Sequence, residues 1–144
     1  MANFNSATVK AIRANLITII KETIGWKFED GSIDPDREDS YGASLDLGEF
    51  TPGSNHGEGP MYSAQSFDLQ VNRKTNGKAD HQLKLIDVTC EIEENITRAA
   101  LNTGDLSASK LVSRREIDIR GNEPDSDSLV VSADIKVFFR DLRT

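Results

Sequence analysis

Toward the end of the chain, apolar residues recur at every second position. Leu129, Val131, Ala133, Ile135, Val137 and Phe139 share one parity, and Ser132, Asp134, Lys136 and Arg140 share the other. Val130 and Phe138 are apolar exceptions on the polar side. A period of two predicts a strand over Leu129–Arg140 with one face in a core. Leu111–Arg120 repeats it, with Ile117 and Ile119 alternating with Asp118 and Arg120. The polar run Gly121–Asp127 between them is rich in turn formers. Ala43–Phe50, through Leu45 and Leu47, is a third expected strand. Met61–Arg73 is a fourth, with Phe67, Leu69 and Val71 inward and Asp68, Gln70 and Asn72 outward. Trp26–Glu29 reads as a short extra strand.

Two stretches change to helical spacing. Ser6 is a good N-cap, Val9, Ile12, Leu16, Ile19, Ile20 and Ile24 form a stripe, and Gly25 stands where a helix ends, so a helix is predicted over Ala7–Ile24. Its other side, Lys10, Arg13, Asn15, Thr18, Lys21 and Glu22, reads as solvated. Ile17 lies off the stripe, either exposed by chance or marking a second buried surface. A second helix is predicted over Lys78–Leu101, with Leu85, Val88, Ile92, Ile96 and Ala99 inward. Ile86 and Cys90 widen that stripe, Glu91, Glu93 and Glu94 face water, and Asn102–Asp105 closes it. Strands interrupted by a helix predict an α+β fold, mainly antiparallel sheet with two amphipathic helices packed on one face. The expectation is one domain, 1–144, with long loops over 30–42 and 51–60.

The totals fit this picture. A chain of 144 residues, 37% hydrophobic and 28% charged, is long enough for one core. No apolar run approaches the roughly 20 residues of a membrane helix. Met1–Ser6 has neither a basic nor an apolar leader segment, so synthesis in the cytoplasm is expected. The one cysteine, Cys90, excludes an internal disulfide and a cysteine metal cluster and reads as a structural thiol in a helix. Asn95-Ile96-Thr97 matches a glycosylation acceptor by coincidence in a chain with no export signal. The net charge of −7 argues against binding along a nucleic-acid backbone, where affinity comes from Lys and Arg. The same charge suits a surface along which DNA passes without sticking.

Candidate chemistry is sparse. Asp34-x-Asp36-x-Glu38 suggests a calcium loop, but its sixth position is Asp39 instead of Gly and its twelfth is Leu45 instead of Glu. A solvated acidic loop is the plainer reading, and no metal or cofactor is expected. His56 and His81 are the only histidines, and both read as surface residues. Asp80-His81 beside Asp30 or Asp34 would make an acid/base pair, which sequence separation leaves unconstrained. Motifs for a serine nucleophile, a zinc protease or a phosphate cradle are missing, so no catalytic residue is assigned. Arg114, Arg115, Arg120, Arg140 and Arg143 give the terminal hairpin a basic character. They read either as solvated strand faces or as an edge that meets an acidic neighbour such as the 30–39 loop of another copy. Such a charge partition allows head-to-tail association, which becomes a ring if the rotation closes.

The order of elements resembles the tail terminator proteins of long-tailed bacteriophages, the minor tail protein U type and its tail-completion relatives. Ala7–Ile24, Met61–Arg73, Lys78–Leu101 and the hairpin of Leu111–Arg120 with Leu129–Arg140 carry the likeness, which is one of layout. The resemblance implies a structural virion protein that is not an enzyme, made in the host cytoplasm and placed in the virion tail. Six copies would ring the head-proximal end of the tail tube, stop its polymerisation and meet the neck or head–tail connector. DNA would pass through a bore without specific binding, and six copies at −7 each bring about −42 to the ring. Candidate contacts to other subunits or to the tube are Asp34, Asp36, Glu38, Asp39, Pro52, His56 and Glu58, together with Arg114 and Arg115. The alternatives are another connector, neck or baseplate subunit, or a small-molecule-binding or hydrolytic α+β domain whose cleft uses His56 or His81.

Overall fold

A computed structural model of the chain describes residues 4–24, 41–52, 62–74, 79–108, 110–121 and 128–140. Among these run α1 (Phe4–Ile24), β1 (Tyr41–Thr51), β2 (Tyr62–Lys74), α2 (Ala79–Asn95), α3 (Arg98–Leu101), β3 (Val112–Gly121) and β4 (Ser128–Arg140). A short 3-10 turn, Gly104–Leu106, leads from α3 toward β3. The strands form one sheet in the order β1-β2-β4-β3, every pair antiparallel. This is an α+β fold of the expected kind, with strand bounds within two residues of those read from the sequence.

Alternation decides which side is covered. Phe67, Leu69 and Val71 of β2, Val131 to Phe139 at odd positions of β4, and Ala43 and Leu45 of β1 are all buried. They share one core with Ile12, Leu16, Ile19 and Ile20 of α1 and with Leu85 and Ile92 of α2. Both long helices therefore roof the same face. Ile117 and Ile119 of β3 point to that side but are only half buried. Val9 is likewise half buried, and Ile17 is partly buried against the core.

The helices depart from expectation in instructive ways. α1 is already helical at Phe4, so Ser6 lies inside it and does not cap it. Arg13 and Asn15 do not sit on a plain solvated face. Arg13 donates to the Leu45 carbonyl of β1 (2.8 Å), and Asn15 donates to the carbonyls of Leu101 (2.9 Å) and Thr103 (3.1 Å). The second helix breaks after Asn95. Ile96 stays buried, and Thr97 caps α3, its hydroxyl accepting from the Ala100 N–H at 3.1 Å. Ile86, Cys90 and Ala99 are exposed, so the buried stripe of α2 is narrower than predicted. Thr89, not Cys90, completes it, its hydroxyl donating to the Leu85 carbonyl at 2.8 Å. Glu93 is half buried instead of fully in water.

Both outer strands have a backbone group taken by a side chain. Asn102 donates to the carbonyl of Val112 and accepts from its N–H, each at 3.0 Å. On the other edge the Arg13 guanidinium takes the Leu45 carbonyl. Such contacts blunt an edge that would otherwise template further pairing. β1 also carries a bulge after Leu47, where a Cβ on Gly48 would come within 3.2 Å of the Ser66 Cβ. Buried Gln65 donates from Nε2 to the carbonyls of Gly48 (3.0 Å) and Ser66 (2.8 Å), which fixes that bulge. The expected strand Trp26–Glu29, the Gly25 stop and the polar run 122–127 lie outside the described residues.

Candidate functional site

No helix among the described residues packs on the second face of the sheet, and the strand register orders its side chains into rows. Asp46 of β1 stands opposite Asp68 of β2, Asp68 opposite Asp134 of β4, and Asp134 opposite Asp118 of β3. Four aspartates thus cross the entire sheet in one line. Directly opposed side chains sit about 5 Å apart at Cβ, and like charges there destabilise a sheet. Aspartate is also depleted from strands on propensity alone. Arg120 offsets part of the repulsion, its guanidinium 3.2 Å from the Asp134 carboxylate, with both side chains more than half exposed. The line breaks two local rules with one visible compensation, which makes it the candidate functional surface.

The next rows along the strands have the opposite character. Glu116 faces Lys136, and Arg114 faces Phe138. The Arg114 guanidinium lies 3.9 Å from the Phe138 ring centroid and 2.7 Å from the Glu116 carboxylate. Lys136 approaches the same ring at 5.2 Å. These are cation–π contacts at an exposed site. The face is therefore acidic across its middle and basic-aromatic toward the Arg140 end of β4.

Arg115 does something different from its neighbour. A bulge in β3 between Val112 and Arg114 puts Arg114 on the helix-free face and Arg115 opposite Val137, on the helix side. There it donates to the carbonyls of Ile96 (2.9 Å) and Glu93 (3.2 Å) and pairs with the Glu93 carboxylate at 3.0 Å. It ties the broken end of α2 to β3 from within the domain. Arg115→Met keeps the apolar stem and removes the donors, so a loss of about 1 kcal/mol is expected. A urea titration measures the loss, and hydrogen exchange should quicken first at Glu93–Ile96.

Of the other candidate contacts, Pro52 is exposed just beyond β1. Asp34, Asp36, Glu38, Asp39, His56 and Glu58 lie outside the described residues, as does the acidic loop that resembled a calcium site. His81 falls in the first turn of α2. A surface groove of 380 Å³ opens between α1 and α2, lined by Ile19, Glu22, Thr23, Glu91, Asn95 and Ala100. Asn95 donates to the Thr23 hydroxyl across it at 2.9 Å. Among the described residues, no group of three or more His, Cys, Asp or Glu is placed to hold a metal ion. The aspartates run in a line across the sheet and do not converge on a point.

Each aspartate was legible as an outward residue of its own strand. Their alignment needs the register of three strand pairs, which no local pattern encodes. Compared with known proteins, the chain matches no family model and no curated protein.

Proposed function

We propose that this chain is a structural virion protein, a tail terminator whose copies ring the end of the tail tube with the helix-free sheet face turned to the bore. The observation that carries the reading is the aspartate row from Asp118 to Asp46. A line of carboxylates side by side across the sheet suits a surface that must repel phosphate, because fields of one sign add within a confined channel. The acidic net charge and the layout of two roofing helices over an antiparallel sheet agree with it. The role rests on surfaces and asks for no cofactor. Partners on this reading are further copies, the tube protein, and a neck or head–tail connector protein.

The purified chain, followed by light scattering alone and on purified tail tubes, tests the reading. A closed multimer, formed in solution or at tube ends, and tubes that stop elongating are the expected result. A ring that binds a connector but leaves tube length unchanged points to a neck subunit. A chain that stays monomeric and leaves tubes unaffected sinks the reading. The same surface predicts that duplex DNA is not retained even at about 50 mM salt, where phosphate contacts are strongest. A gel-shift series in falling salt checks this.

A further inference from the structure

Among the described residues, the flank beside each outer strand exposes apolar side chains bordered by charges of both signs. On α2, Asn95 reaches Thr23 of α1, so that side of the helix faces α1. Glu93 reaches Arg115 of β3, so Glu93 lies on the flank above β3. Leu83, Ile86 and Cys90 share the stripe of Glu93 at helical spacing. Leu83 and Ile86 are 59% and 45% exposed, and below them Ile117 and Ile119 of β3 are only half covered. An apolar ledge therefore runs along the β3 side, and exposed Asp87 and Glu94 border it.

The other flank mirrors it. Arg13 of α1 reaches the β1 edge, and Lys10, Ile17 and Lys21 share its stripe. Beneath them Leu47 of β1 is 59% exposed, and Asp46 lies beside it on the strand's outer face. Here the apolar residues are bordered by lysines on the helix and by an acid on the strand. On the β3 side the helix carries acids, and the strand carries Arg120 two positions from Asp118. Lys10 and Lys21 complement Asp87 and Glu94, and Asp46 complements Arg120.

We infer that these two flanks bind each other between copies: the α2–β3 side of one chain receives the α1–β1 side of the next. The inference rests on the ring reading above and names its interface. The antiparallel order of the sheet makes β1 run opposite to β3, so a second copy can be set beside the first with both helix layers on the same side. Leu47 and Ile17 then meet Ile119, Ile86 and Leu83, Asp46 meets Arg120, and Lys10 and Lys21 meet Asp87 and Glu94. Because Arg13 holds the Leu45 carbonyl and Asn102 holds Val112, the contact is made by side chains and does not continue the strand ladder. The surfaces differ, so the contact is heterologous and repeats until the rotation closes. Setting Asp46 beside Arg120 staggers the aspartate rows of neighbouring copies by two residues, so Asp46 does not face Asp118.

Light scattering and sedimentation of the full chain test this with exposed substitutions that spare the core. Leu83→Glu, Ile86→Glu and Leu47→Glu should each raise the concentration needed for assembly at least tenfold. Tyr62→Glu, on the helix-free face, should not. Asp46→Arg and Arg120→Asp should each weaken assembly, and the double reversal should restore it. Circular dichroism confirms that each variant is folded. A wild-type multimer that all flank variants leave intact, or a double reversal without rescue, overturns the interface while the ring reading stands. A wild-type chain that never multimerises, alone or on tubes, overturns both.

Discussion

Phe67→Ala is expected to cost about 3–5 kcal/mol, the range for removing a fully buried aromatic ring. Phe67 has no exposed surface, sits in β2 and is paired in register with Ile135 of β4. It belongs to the same core as Leu16, Ile20, Leu85 and Ile92, so its ring fills the space between sheet and both helices. Four strands and two helices cannot collapse into a ring-sized void without moving the helices off the sheet, so most of the cavity term remains. Against a total stability of about 5–15 kcal/mol, the change removes a large share. Phe67→Leu, which retains much of the volume, should cost about 1–1.5 kcal/mol. Urea titrations followed by circular dichroism read both, with unchanged slope showing that the transition still reports one cooperative unit. A loss below about 1 kcal/mol for the alanine would mean that the inner face of β2 is not the centre of the core.

The elements behind that prediction were readable in advance because alternation is a local signal. β4 alternates from Val131 to Val137 before the Phe138 exception, and the structure buries every odd position from Val131 to Phe139. What stayed hidden depends on neighbours distant in sequence. Arg115 shares the parity of Ile117 and Ile119, yet a second arginine beside Arg114 reads as surface charge. Only the nearby end of α2, with the carbonyls of Glu93 and Ile96 and the Glu93 carboxylate, gives it an inward role. The break at Ile96 carries no glycine or proline, and its one local sign is Thr97, a good cap in the middle of an expected helix. Ile86 and Cys90 looked inward because a stripe of that width would be buried between two neighbours. α2 has α1 on one side only among the described residues, so its far flank is exposed. Asn15 and Asn102 read as solvent and turn residues, and their backbone partners lie in α3, the turn after it and β3.

Replacing Asp46, Asp68, Asp118 and Asp134 together by asparagine should stabilise the chain by about 2 kcal/mol at low salt. Carboxylates about 5 Å apart in a watery environment repel by about 0.8 kcal/mol per neighbouring pair, and the row has three such contacts. Losing the exposed Arg120–Asp134 pair returns about 0.5 kcal/mol of that gain. At about 0.15 M salt the Debye length is about 8 Å, so the advantage should fall to about half, and near 1 M it should almost vanish. Urea titrations of both proteins across that salt range measure it, and the single change Asp68→Asn, which relieves two contacts, should give the larger part. The functional consequence runs the other way. Four charges fewer per copy leave a near-neutral band across the face, so an assembled ring of the variant should retain duplex DNA that the natural ring releases. Arg120, released from the Asp134 carboxylate, and Lys136 would supply the phosphate contacts, and retention should therefore weaken steeply with salt. A variant no more stable than the natural chain at low salt would mean that the carboxylates splay apart and the row carries no cost. A more stable variant that still releases DNA would separate the row's energetic cost from any role in passing DNA.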